Sequence, residues 1–170
     1  MKVEPWRTVA LGTGVDLMKA LKRARMRVSP WARKLLANRA LRVARKPTEL
    51  ALARVTAKQL GFAKGARLGT IYRKLPRLGL ALCPAEAGPQ LRLQYPDQPR
   101  AEYLRIAMAP IRDDEGHALV FGVDHGPDGL WIGAPHGGAD WWWRADELGV
   151  VAVAPPTPTR RRRRRPARSR

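Results

Sequence analysis

Positive charge is concentrated in two parts of this chain, and this limits what each part can fold into. The 170 residues include 33 Lys or Arg and 14 Asp or Glu, which gives a net charge of +19. Residues 1–100 carry a net charge of +17, residues 101–150 carry −6, and the last twenty residues carry +8. Because unpaired cations stay at the surface, the first hundred residues must fold with a strongly basic face. Such a face is typical of a protein whose partner is a polyanion, most simply nucleic acid.

The composition is that of one globular domain. Apolar residues make up 45% of the chain, which is enough to build a core at this length. No segment approaches the roughly 18 uninterrupted apolar residues of a membrane helix, and the first fifteen residues lack the apolar stretch of a secretory signal. Cys83 is the only cysteine, so no disulfide can form within the chain. We therefore expect a cytoplasmic protein with no membrane partner.

Periodicity and turn residues predict an α+β domain over residues 1–154. Helices are expected at about 15–26, from Pro30 onwards behind a Ser29 cap, and at 67–78 with Gly79 as the stop. Strands are expected at about 5–11, 50–55, 91–95, 102–108, 117–123, 129–132 and 148–153. The basic helical part thus lies at about 1–80, and an antiparallel β-meander follows at about 90–154. Residues 155–170 are rich in Pro and Arg and are predicted to be a disordered tail.

A long, ordered set of residues between about 56 and 132 carries a family resemblance. It includes Leu60-Gly61-Phe62, Leu82-Cys83-Pro84-Ala85-Glu86, Gly88-Pro89-Gln90-Leu91-Arg92-Leu93-Gln94-Tyr95 and Leu104-Arg105-Ile106-Ala107-Met108. In these residues the chain resembles an uncharacterised family of small bacterial hypothetical proteins. The resemblance implies a compact fold and implies no reaction. The high charge of the N-terminal half and the arginine tail are not part of the family pattern.

Basic residues near the first two expected helices and in the tail are the candidates for binding nucleic acid. They are Lys19, Lys22, Arg23, Arg25, Arg27, Arg33 and Lys34, followed by Arg160, Arg161, Arg162, Arg163, Arg164 and Arg165. Like charges one helical turn apart repel by a few tenths of a kcal/mol per pair, so a bound polyanion would relieve them. We expect these side chains to contact phosphates rather than bases. The alternative is a solvated basic face that residues 101–150 partly neutralise.

Trp141-Trp142-Trp143, with Trp131 nearby, offers a second kind of surface. In a strand, alternation sends Trp142 to the opposite face from its neighbours, so at least one tryptophan of the three packs in the core while another is exposed. Trp131, Trp141 and Trp143 are the candidates for an interface with a protein or with a second copy of the chain, since tryptophan is favoured at interface hot spots. Stacking against bases or sugars is a further alternative.

No reaction is indicated by the remaining chemistry-bearing residues. His117, His125 and His136 lie among aspartates, but their spacing matches no metal-site pattern, and no cofactor is implied. Cys83 between Leu82 and Pro84 is typical of a small buried apolar residue. Motifs of NTP-binding loops, dinucleotide-binding turns and serine hydrolases are missing from the sequence. We predict a non-enzymatic protein that binds nucleic acid with little sequence preference; the alternative function is a protein-interaction module.

Overall fold

A curled, mostly antiparallel sheet forms the centre of the molecule, in a computed structural model that describes residues 2–155. Its elements belong to one α+β domain. The strands of these residues are β1 (Arg7–Leu11), β2 (Arg27–Val28), β3 (Thr48–Thr56), β4 (Ala66–Arg67), β5 (Leu80–Ala81), β6 (Tyr103–Ile106), β7 (Ile111–Arg112), β8 (Ala118–Leu119), β9 (Gly122–Gly126), β10 (Gly129–Gly133), β11 (Trp142–Trp143) and β12 (Leu148–Val153). The helices are α1 (Leu17–Arg23), α2 (Pro30–Leu36), α3 (Leu68–Lys74) and α4 (Ala87–Gln94), and a 3-10 turn follows α3 at Leu75–Leu78.

The sheet combines strands from both halves of the chain. Its order is β1-β3-β12-β6-β9-β10-β2, with β5 beside β12, and only the β12–β6 and β10–β2 pairs are parallel. The last strand, β12, lies near the middle because Gly149 to Ala152 are buried and need neighbours on both edges. The expected order, N-terminal helices followed by a C-terminal meander, is therefore not confirmed. All but the first residue of the expected tail lies outside the described residues.

The two faces of the sheet carry different helices. In β3, Leu52 packs into the larger core cluster with Leu21 of α1 and Leu35 of α2. The next residue, Ala53, packs into a second cluster with Ile71 of α3. Because neighbouring residues of a strand point to opposite faces, α1, α2 and α4 cover one face of the sheet and α3 covers the other. The basic N-terminal helices therefore lie on a different side of the molecule from α3.

The start of α2 and the stop after α3 follow the sequence, whereas α1 (Leu17–Arg23) is shorter than the helix expected at about 15–26. The Ser29 hydroxyl accepts a hydrogen bond from the Ala32 amide at 3.1 Å, and Pro30 is the first residue of α2, as predicted. Helix α3 changes to a 3-10 turn where Pro76 can donate no hydrogen bond, and Gly79 ends it at a φ of +69°. Among residues 2–155, no helix combines the length and the apolar content needed to cross a bilayer.

The prediction of a strand at 91–95 is wrong, because residues 91–94 belong to helix α4 and Tyr95 caps its end. Leu91 to Tyr95 alternate apolar and polar residues, but α4 is buried on nearly all sides and five residues cannot distinguish the two structures. Gly88 lies directly under the Phe121 ring, and a β-carbon there would come within 2.5 Å of Phe121 Cβ. Packing contacts across the core, rather than local periodicity, make this segment a helix.

Arg92 of α4 is fully buried and connects the helix to three other parts of the fold. Its guanidinium donates to the backbone carbonyls of Tyr95, Asp124 and Trp131 and to the Gln98 side chain, over distances of 2.5–3.3 Å. Burial lowers the pKa of Arg92 to about 10, so the group is still protonated at neutral pH. No carboxylate of the described residues forms a salt bridge with it.

Glu86, at the start of α4, binds the segment that precedes α1 and the segment that follows α2. One carboxylate oxygen accepts from the Gly12 amide at 2.7 Å and the other from the Ala44 amide at 2.8 Å. Gly12 has a φ of +62°, and a β-carbon there would collide with the Lys46 carbonyl oxygen. These contacts place the segments before α1 and after α2 against α4.

We predict that Arg92→Leu lowers the free energy of unfolding by about 2–4 kcal/mol, because it leaves the buried Tyr95 carbonyl and the buried Gln98 side-chain oxygen without this donor. Urea unfolding measures this. The matched control is Arg100→Leu at an exposed position, which should change the free energy by less than about 0.5 kcal/mol. Equal effects of the two substitutions would contradict the role given to Arg92.

Candidate nucleic-acid interface

A groove of about 560 Å³ lies between α1, β2 and α2. Its rim consists of exposed cations, and its floor of half-buried apolar side chains. The rim residues are Lys19, Lys22, Arg25 and Arg33, and the floor residues are Met18, Met26 and Val28. Four of the seven basic residues predicted near the first two helices thus share one concave surface. The tail residues Arg160 to Arg165 lie outside the described residues.

The other three predicted residues are not part of the groove lining, and two are paired with acids. Arg27 donates to the Asp128 carbonyl at 2.7 Å and lies 3.8 Å from its carboxylate. Lys34 lies 3.2 Å from both Asp114 and Glu115, and hydrogen bonds to these carboxylates raise its pKa. Arg23 is exposed on α1. The acidic segment 101–150 therefore neutralises one side of the basic face only.

The rim cations have no such partners. Among residues 2–155, none of Lys19, Lys22, Arg25 and Arg33 has a carboxylate oxygen within 4.0 Å. Asp16 lies near this end of the groove, but its side chain accepts from the Lys19 amide and caps α1. Lys22 also lies in the last turn of α1, where a cation interacts favourably with the helix dipole. Positive charge on the rim is thus not compensated by a salt bridge within residues 2–155.

Arg25 occupies a backbone conformation that usually belongs to glycine. Its φ is +58°, and it follows α1 in a Schellman arrangement in which the Met26 amide donates to Leu21 and the Arg25 amide to Lys22. An arginine at this position costs stability relative to glycine because its β-carbon is crowded. The cation on the rim is present despite that cost.

The tryptophans divide between core and surface, as predicted, but alternation separates only Trp142 from Trp143, because Trp141 lies outside β11 and is exposed like Trp142. Trp143 is fully buried, and its indole NH donates to the Glu147 carbonyl at 2.7 Å, so its assignment to an interface is wrong. It packs on Gly149 of β12, which has no side chain to exclude it. Trp131 is half-buried and donates to Asp128, whereas Trp141 and Trp142 are 42% and 51% exposed. Trp142 was missed because alternation does not tell which neighbour faces the core.

A row of four rings lies on the surface beside α2, and the sequence does not reveal it. Trp31 and His117 are 5.5 Å apart between ring centroids, His117 and His136 are 6.0 Å apart, and His136 and Trp141 are 5.6 Å apart. The Asp113 carboxylate lies 3.0 Å from His117 Nδ1 and orients that ring. In residues 2–155, no three His, Cys, Asp or Glu side chains are grouped as a metal ion requires.

Cys83, Glu102 and Glu86, three side chains of types that serve in catalysis, are occupied or buried in the fold. Cys83 is 4% exposed, and burial raises the pKa of its thiol to about 12. Glu102 pairs with Arg54 at 2.6 Å and accepts from the Tyr95 hydroxyl at 3.0 Å. Glu86 is occupied by backbone amides, as described above. A thiol nucleophile is therefore not available at neutral pH.

Comparisons with protein-family models, with curated protein sequences and with solved structures find no match to this chain. The resemblance of residues 56–132 to small bacterial hypothetical proteins stays a prediction.

We predict that Cys83 does not react with iodoacetamide at pH 8 in the folded protein, since a pKa of about 12 leaves almost no thiolate. Unfolding in urea should allow complete alkylation, and mass spectrometry separates the two states. Complete and rapid alkylation of the folded protein would show an accessible, activated thiol instead.

We also predict that Arg25→Gly raises the free energy of unfolding by about 1 kcal/mol, because glycine adopts the left-handed conformation without crowding. The control is Arg23→Gly in the last turn of α1, which should lower it by about 1 kcal/mol. Urea unfolding of both variants provides the comparison. A shift in the same direction for both would contradict the assignment.

Proposed function

We propose that this protein binds nucleic acid without catalysing a reaction, and that it does so by holding phosphates along the rim of the groove. The observation that supports this most directly is that Lys19, Lys22, Arg25 and Arg33 surround one groove with no carboxylate of residues 2–155 within 4.0 Å. Their mutual repulsion favours a bound anion. Binding to phosphates then releases counterions and depends strongly on salt.

Sequence preference is expected to be weak. The groove lining contains no Asn, Gln, Asp or Glu, the side chains that commonly read adenine or cytosine edges. Lys and Arg on a rim hold phosphates of any sequence. The arginines from Arg160 to Arg165 would add affinity of the same kind. We place this activity in the cytoplasm, as the sequence predicts.

Trp141 and Trp142 support a second candidate function, a protein-interaction module. These neighbouring side chains are 42% and 51% exposed, which is uncommon for tryptophans that serve only the core. Asp146 lies near them in the sequence, and Asp140 also does but pairs with Arg67 at 3.3 Å. A basic partner or a second copy of the chain would suit this surface. A molar mass that rises with protein concentration at high salt, measured by light scattering, would favour this function.

The groove proposal is tested by fluorescence-anisotropy titration of labelled DNA and RNA at several salt concentrations. The protein is the full chain with Arg160 to Arg165 changed to Gln, so that the tail does not conceal the groove. A second variant adds K19Q, K22Q, R25Q and R33Q. We expect the slope of log affinity against log salt to become shallower by about 3, since each lost phosphate contact removes about 0.7–0.9.

The matched control removes the same charge from the other face of the sheet. Lys58, Lys64, Arg73 and Arg77 are exposed near α3, and their change to Gln should alter the slope by less than about 1. Equal losses in the two quadruple variants would mean that net charge alone drives binding. Loss of all binding with the tail substitutions would also contradict the groove proposal.

A further inference from the structure

The floor of the groove is apolar, and phosphate binding by the rim does not require this. Met18, Met26 and Val28 are half-buried along the groove, and Met26 and Val28 also pack against the larger core cluster. The lining thus joins an apolar strip to four cations. The volume of about 560 Å³ lies within the range of sites that enclose much of a small ligand. A complementary occupant combines apolar groups with closely spaced negative charges.

We infer that the floor receives the bases of single-stranded nucleic acid, so that the ligand is a single strand and not a duplex. This inference rests on the proposed function. In a duplex the base faces are stacked inside, and the protein meets phosphates and groove edges. In a single strand each base exposes a face that can leave its neighbours and lie on a protein surface. The rim cations then hold the phosphates on either side.

Methionine suits this role chemically. Its unbranched thioether side chain is flexible and polarisable, and sulfur makes favourable contacts with aromatic rings. Met18 on α1 and Met26 after the left-handed Arg25 lie on the same groove. Two adaptable side chains fit any of the bases, which agrees with weak sequence preference. Tight turning at Arg25 brings Met26 back beneath the rim, since the Met26 amide donates to Leu21 inside α1.

The experiment compares ligands that share phosphates and differ in bases. The probes are single-stranded oligothymidine of about twelve nucleotides, an abasic strand of equal length, a duplex of equal length, and vesicles of phosphatidylserine and phosphatidylcholine. The protein is the full chain with Arg160 to Arg165 changed to Gln. We expect oligothymidine to bind about three- to tenfold more tightly than the abasic strand at the same salt concentration. The duplex should bind no more tightly than oligothymidine, despite its higher charge density.

Variants of the groove separate floor from rim. Met18→Ser should remove the advantage of oligothymidine over the abasic strand, whereas Met18→Leu should keep most of it. Lys22→Gln should weaken the binding of both strands by the same factor, because it acts on phosphates alone. Circular dichroism checks that each variant is folded. If Met18→Ser does not fold, the protein with an unchanged groove still tests the inference through its affinities for oligothymidine and the abasic strand.

The outcomes separate this inference from the proposed function. Equal, salt-dependent affinity for oligothymidine and the abasic strand would overturn the inference and leave the proposed function standing. Absence of salt-dependent binding to every nucleic-acid probe would overturn both. Tighter binding to the vesicles than to any strand would overturn the inference in favour of an anionic lipid.

Discussion

The buried guanidinium of Arg92 is the interaction on which the rest of the structure depends. It is fully buried and donates to carbonyl groups of the loop after α4 and of β9 and β10. A guanidinium has five donors in a fixed plane, so one side chain can satisfy acceptors from several directions. Its desolvation is expensive. The four acceptors of Nη1 and Nη2 offset part of that cost, while the buried Nε has no hydrogen-bond partner within residues 2–155. The position of α4 against the sheet is therefore closely specified.

The groove depends on the same framework. Strand β10, which accepts from Arg92 at Trp131, pairs in parallel with β2 through Arg27 and Val28. The Ser29 amide then donates to the Ile132 carbonyl just before α2 begins. The pairing of β10 with β2 and the Ser29 hydrogen bond thus place α2 beside α1. Glu86 binds the Gly12 amide before α1 and the Ala44 amide after α2. A short two-stranded contact thus determines where the cations of the rim lie relative to the apolar floor.

The net charge of the chain does not show that some of its basic residues are paired with acids and others are not. Acidic side chains of the 101–150 segment pair with Arg27 and Lys34, which face β10 and the β7–β8 turn. Neither Arg27 nor Lys34 lines the groove, and the four rim cations form no salt bridge within residues 2–155. Arg33 and Lys34 are adjacent in α2, yet one faces the groove and the other faces the acids, because successive residues of a helix point about 100° apart.

Much of the local structure follows from sequence alone. Features that depend on neighbouring residues can be predicted from sequence. They include the helix start at Ser29-Pro30, the helix stop at Gly79 and strands β1, β3 and β12. They also include the basic face and the division of the three tryptophans between core and surface. Only the tertiary structure decides that Leu91 lies in a helix, that β12 joins both halves of the chain, and that Trp143 rather than Trp142 is buried. It also decides which four cations surround a groove. These features depend on contacts between residues far apart in the chain. No local sequence pattern encodes the contact of Gly88 with Phe121 or the salt bridge of Lys34 with Asp114.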